Sequence, residues 1–300
     1  MSIRPACSTW LSIALLVLTG TTRADLAPAS AGVTLNWTGC GISRHAYMDD
    51  LAKLYEERTG VKINISGGGA TKGIRDVASG ATDIGGTCRL RLPNEGAEEH
   101  ATLVPVAWDA LAVIVHPDNP IQDVSLDQLQ DIFLGKITNW KELGGNDAPL
   151  RLYVRQGKNS GVGRSLRKHL FANYDQEFVA AEIFPSTGPL ERAIETDVNA
   201  IGVTGVSSAR KRNLKLVLLE GRDPGYENIR NGDYLLYRPM YLSYNADNAR
   251  AEEVKHFISF IYGKDGTAVL ANNGIVPYLD GIHLIRKKIA QNRDARERGL

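Results

Sequence analysis

Residues 63–89 read INISGGGATKGIRDVASGATDIGGTCR, and the fold turns on this stretch. Short apolar runs alternate with glycine turns, a pattern that predicts strand, turn, helix, strand and a second turn. A strand over 61–65 runs into Gly67-Gly68-Gly69; a short helix over 72–79 stops at Gly80; a strand over 82–85 leads to Gly86-Thr87-Cys88-Arg89. Turns of this kind present backbone N–H groups to an anion, and the helix dipole adds partial positive charge. Glycine lets the backbone approach a ligand closely. Half of an anion-binding cleft is therefore predicted here, and nothing in it demands a catalytic group.

Upstream, 33–37 predict a first strand and 45–59 a helix, with Ser43 placed to cap it. Met48, Leu51, Ala52, Leu54 and Tyr55 share one face of that helix, and Gly60 ends it. The resulting β-α-β-α-β order implies a parallel sheet with right-handed crossovers. Downstream, the apolar runs at 103–116 and 233–244 are too continuous for solvated strands. They predict two passages between lobes, with crossings near 106–116 and 234–244. One lobe is then discontinuous, 25–105 with 240–300, and the other, 106–239, is inserted into it. The inserted lobe carries predicted helices at 125–133, 164–173 and 189–197, and strands at 150–154, 200–205 and 214–219. Helices at 252–262 and 267–272, a return strand at 276–278 and a basic tail complete the chain. A ligand in a two-lobed α/β protein lies between the lobes, at the strand C-termini.

The 300 residues are 43% apolar and 23% charged, ordinary for a globular chain with real cores. Residues 1–24 have the parts of a secretory signal: Arg4, an apolar run from Trp10 to Leu18, and Thr22-Arg23-Ala24 as the cleavage site. Export to the periplasm is expected, with the mature chain starting near Asp25. Of the 35 basic residues two, Arg4 and Arg23, lie in that segment, which leaves 33 against 34 acidic ones. So even a balance argues against nucleic acid as a partner. Cys7 leaves with the signal, so Cys40 and Cys88 remain. In an oxidising compartment a Cys40–Cys88 disulfide is the ordinary expectation. A thiol pair for a soft metal or metalloid, and two unpaired thiols, stay open beside it. No cofactor or metal is expected, because the six histidines show no HxxxH or HExxH spacing. No catalytic residues are expected either, since no serine sits in a nucleophile-elbow pattern.

Four turns carry the candidate site. Three belong to the first lobe: Gly39-Cys40-Gly41, Gly69-Ala70-Thr71-Lys72 and Thr87-Cys88-Arg89. The fourth runs from Arg155 to Asn159-Ser160-Gly161 in the second. Arg155 at a strand end is placed to offer a bidentate fork to an oxyanion. Ser160 and Gly161 at a helix start are placed to offer a hydroxyl and N–H groups.

Several further stretches carry a family resemblance. They are Val106-Ala107-Trp108-Asp109-Ala110, Asp131-Ile132-Phe133-Leu134-Gly135 through Asn139-Trp140, Tyr237-Arg238-Pro239-Met240-Tyr241 and Gly274-Ile275-Val276-Pro277. In that order, with Arg155 and Ser160-Gly161, they resemble the periplasmic phosphate-binding proteins of ABC transporters. The resemblance implies a two-lobed type II periplasmic binding protein fold, each lobe a mostly parallel sheet flanked by helices. It also implies a monomer that captures a small inorganic oxyanion (phosphate, arsenate or similar) and delivers it to an inner-membrane ABC permease. Backbone N–H groups, the Ser160 hydroxyl, and Arg155, Arg89 or Lys72 would coordinate the anion. This chain departs from the family in its turns: Cys88 stands where many members carry an aspartate, and Val162 replaces a threonine. Resemblance also extends to periplasmic sensors of arsenic oxyanions. The alternative it implies is an arsenite or arsenate sensor that uses Cys40 and Cys88 and signals to a membrane histidine kinase.

Overall fold

The computed structural model describes residues 32–297, so the expected signal at 1–24 lies outside the described residues. Strand β1 (Thr34–Gly39) leads into a helix that starts at Gly41 and runs to Thr59, widened over Arg44–Met48. Ser43 therefore lies inside the helix, and Cys40 occupies the cap position expected for Ser43. Gly60 ends the helix in the left-handed region at φ 75°, which a residue with a Cβ adopts only at a cost. Strand β2 (Lys62–Ser66), the helix Gly69–Ala78 and strand β3 (Ile84–Thr87) follow. β1 lies between β2 and β3, parallel to both.

β4 (Thr102–Val115) is the longest strand among the described residues. Then come β5 (Asp123–Val124), β6 (Arg151–Arg155), β7 (Glu182–Phe184), β8 (Ala200–Gly205) and β9 (Lys215–Leu219). β10 (Tyr237–Tyr244) follows, and β11 (Val276–Pro277) returns beside β4. Along β4, Thr102 to Ala110 pair antiparallel with β10, and Leu111 to Val115 pair with β8 and β9. One strand thus belongs to two sheets. Beyond it β6 lies between β7 and β8, parallel to both. The apolar run at 233–244 is strand only from Tyr237, and the preceding residues approach as a turn.

Local chemistry explains the helix starts. Ser125 and Gln128 close a capping box around the helix Leu126–Phe133, with bonds of 3.0 and 2.8 Å. Ser160 accepts from the Gly163 N–H at 3.0 Å and starts the helix Gly161–Leu166, three residues earlier than the apolar pattern predicts. Trp37, Trp108 and Trp140 are all buried. Trp108, in the middle of β4, stacks on Tyr278 and donates from Nε1 to the Tyr278 carbonyl at 3.0 Å. That contact ties the return strand to β4.

Candidate functional site

The glycines of residues 63–89 do two different jobs. Gly73 and Gly86 are packing residues: a Cβ on Gly73 would come within 2.8 Å of the Thr38 carbonyl, and one on Gly86 within 2.2 Å of the Trp37 ring. Their bare backbones let the helix Gly69–Ala78 lie directly on β1 and β3. The turn glycines are the ones left for a ligand. Gly69 joins Cys40, Gly41, Ala70, Arg155 and Gly161 around a cavity of about 560 Å³ between the two halves of the molecule. A smaller recess of about 280 Å³ adjoins it and adds Thr71, Asn159 and Ser160. A wider depression at residues 90–103, about 970 Å³, is lined by Glu95, Glu98 and Glu99, the wrong charge for an anion.

Arg155 is the last residue of β6 and opens on both of these spaces. It is half-buried, Nη1 donates to the Phe184 carbonyl at 3.2 Å, and no carboxylate pairs with it among the described residues. Burial lowers its pKa, yet a guanidinium stays charged. The first N–H groups of the helices that begin at Gly41, Gly69 and Gly161 have no partner within their own helix. Those helix starts reach the same cavity as Arg155. The Ser160 oxygen is used as the helix cap, and its O–H remains available as a donor.

Arg89 and Lys72 sit elsewhere than a ligand role would require. Arg89 is 5% exposed and donates to Glu98 Oε1 and Oε2 at 2.7 and 2.9 Å, to the Leu90 carbonyl, to Thr71 Oγ1 and to the Asn159 carbonyl. Its fork is fully committed, in part to joining the lobes. Lys72 pairs with Asp76 one helical turn on and lines neither space. Thr87 is buried and bonds with the backbone of Arg89. Gly39 is buried against Gly86, behind the cavity wall.

Cys40 and Cys88 are neighbours, as the strand order implies, but they are free. Their Sγ atoms stand 3.6 Å apart and share a hydrogen bond, against about 2.05 Å for a covalent bond, so the expected disulfide is not what the structure contains. The Cys88 thiol hydrogen bond holds the Cys40 pKa down at about 6 against the opposing effect of burial. Arg238 and the backbone N–H groups of Ser43 and Ile42 add to that effect. The same hydrogen bond, with burial, pushes Cys88 well above an ordinary thiol. Behind the pair, Arg238 of β10 faces Asp109 of β4 across the strands. Burial raises the Asp109 pKa against the pull of Arg238.

The structure also brings in residues that sequence reading did not single out. The loop from Pro185 to Pro189, the start of the helix Thr187–Ile194, and Arg44, Arg192 and Arg212 line the cavity. Among the described residues Glu191 is the one carboxylate on that lining, and it is occupied by Arg212 at 3.2 Å and Thr204 at 2.7 Å. Ser186-Thr187, residue types common at a helix start, was the available signal, although the Ser186 side chain makes no cap bond; the three-residue strand before it left none.

A family model described as a PBP superfamily domain matches residues 43–265. The chain is 28% identical over 230 residues to phosphate-binding protein PstS of Bacillus subtilis (strain 168), covering 76% of this chain and 75% of that one. Among solved structures it is similar to a phosphate ABC transporter substrate-binding protein from Clostridium perfringens with bound phosphate. There the TM-score is 0.75 and the identity 30%, over 81% of this chain and 99% of that one. An ABC-type phosphate transport receptor from Vibrio cholerae gives a TM-score of 0.62 at 27% identity, over 81% and 99%. The two-lobed α/β fold expected from the sequence is the fold of these proteins. The arsenite-sensor alternative finds no support among them.

Proposed function

We propose that this chain, which belongs to the PBP superfamily, captures a phosphate-like tetrahedral oxyanion between its two lobes and delivers it to an ABC transporter. The observation that carries this reading is Arg155: a half-buried guanidinium without a carboxylate partner, on a cavity reached by three helix N-termini. The fork supplies two parallel charge-assisted bonds, and the helix starts supply N–H donors already oriented. Arg192 adds to the positive field. Names of the relatives, phosphate-binding and phosphate transport proteins, favour phosphate among the oxyanions.

In this reading the lobes are 25–105 with 240–300 and 106–239, a division supported by the change of partner along β4 at Ala110 and Leu111. The ligand set is Gly41, Gly69, Ala70, Thr71, Arg155, Ser160 and Gly161, with Cys40 at the cavity wall. Residues 1–24 act as the export signal and place the chain in the periplasm, where a membrane permease accepts the loaded, closed form. The role is capture and release, with no bond made or broken. Isothermal titration of the exported protein with phosphate, arsenate, sulfate and molybdate tests it. Saturable binding of phosphate is expected; no heat with any of the four overturns the reading.

A further inference from the structure

On the other side of the helix Gly161–Leu166 lies a second cavity of about 380 Å³. It shares no lining residue with the interlobe cleft. One wall is aromatic and apolar, built from Trp108, Pro239, Tyr241 and Tyr278. The other is cationic: Arg164, Lys168, Arg238 and Lys288 reach it, and among the described residues no aspartate or glutamate lines it. In a chain whose 35 basic residues are matched by 34 acidic ones, a wall of one sign needs a reason.

Arg238 is 2% exposed, and its Nη1 donates to the Gly161 carbonyl at 3.2 Å. Its Nε and Nη2 have no hydrogen-bond partner. Lys288 donates to the Tyr237 carbonyl at 3.0 Å and approaches the His169 ring at 2.7 Å. Burial, then the like charges of Lys168 and Arg238, hold the Lys288 pKa well below that of an ordinary lysine. Asp109 faces Arg238 across the strands, but it leaves the Nε and Nη2 donors of this buried guanidinium unsatisfied, which is costly unless a further acceptor joins them. Cavities of a few hundred Å³ with an apolar body and a few convergent polar groups suit small ligands.

We propose that this cavity binds an amphipathic organic anion, its carboxylate on the Arg238–Lys288 pole and its apolar body against Trp108 and Tyr278. Inorganic phosphate lacks the apolar body that half of this wall would cover, so the site differs in ligand class from the interlobe cleft. Because the lining draws on both crossing strands, on the helix after Gly161 and on the C-terminal helix, occupancy is sensed by both lobes.

Calorimetry of the exported protein with octanoate, and with octanamide as its uncharged match, tests the site. Octanoate is expected to bind with Kd below ~1 mM, and octanamide at least ~10-fold more weakly, since a charge-assisted pair is worth that factor or more. Lys288→Met is expected to weaken octanoate ~10-fold and leave phosphate affinity unchanged, while Arg155→Ala leaves octanoate binding intact. Should Lys288→Met fail to fold, Ile289→Glu, at a position 64% exposed on the cavity rim, puts a repelling carboxylate there and weakens octanoate likewise. Absent octanoate binding, equal binding of octanamide, or loss of octanoate binding in Arg155→Ala each overturns the proposal.

Discussion

Arg89, just after β3, donates from Nε to the backbone carbonyl of Asn159, just after β6, at 3.0 Å. Thr71 Oγ1 bonds the same carbonyl at 3.3 Å. The turns that follow β3 and β6 therefore meet at the proposed anion site, and Glu98 holds the arginine that joins them. Burial works against the Glu98 charge, but its bonds from Arg89 and from the Leu92 N–H hold the carboxyl pKa below the usual range.

Glu98→Gln is expected to destabilise the protein by ~3 kcal/mol, because it strands a buried guanidinium. Urea unfolding measures this. A folded pKa below the unfolded value gives stability that is present above about pH 4 and lost as pH falls through the folded value. The wild type should lose that increment on acidification and the variant should not. Equal acid sensitivity of the two would remove Glu98 from the account.

Arg155→Ala is expected to weaken phosphate ~100-fold, or ~2.7 kcal/mol, by removing a bidentate charged donor. Its melting temperature should hold, since the side chain has no carboxylate partner whose charge would be stranded. A change in affinity of less than about 3-fold would be incompatible with the proposed ligand set.

A Cβ added to Gly161 would lie 2.1 Å from Cys88 Sγ, which is itself buried. Gly161→Ala should therefore keep the lobes apart and weaken phosphate by ~10-fold or more, the cost of a sub-van-der-Waals contact on closure. With Cys88→Ala in the same chain, the new methyl has only ordinary contacts, 3.5 Å to Ala70 Cβ and 3.7 Å to the β-carbon at position 88. The double variant should regain affinity. Failure of that rescue would mean that the close approach of these residues does not control closure.

The first thiol proton of the Cys40–Cys88 pair should leave near pH 6, as thiolate absorbance in the ultraviolet would record. A lowered folded pKa means that this ionisation adds stability as pH rises from about 6 towards the ordinary thiol value, until the raised Cys88 pKa reverses the trend. Cys40 lines the anion cavity, so phosphate should move the Cys40 titration upward by disfavouring a second negative charge. A titration unmoved by saturating phosphate would place the anion away from Cys40.

The chain order of residues 33–87 was enough for a parallel β-α-β-α-β unit with right-handed crossovers, but strand pairing in the fold is what sets β1 between β2 and β3. Neighbouring Cys40 and Cys88 follow from that pairing. The continuous apolar run at 103–116 likewise announces β4, since a strand buried on both faces has no polar alternation. Less regular pieces escaped. β7 is three residues long, with Ile183 65% exposed, so it carries neither length nor a buried pattern; with it went the loop at 185–189 that lines the cleft.

Glycine turns, Arg155 and the Ser160 cap lie in local sequence, and local sequence is enough to read an anion cleft from them. What tertiary structure alone decided is which cation stays free to use. Arg89 and Arg155 both follow strands and look equivalent in the sequence. Glu98 and the Asn159 carbonyl, distant from each other along the chain, close on Arg89 and consume its fork. Among the described residues no carboxylate pairs with Arg155. Whether a buried charge is a support or a binding group depends on its counter-charge, and the fold supplies that partner.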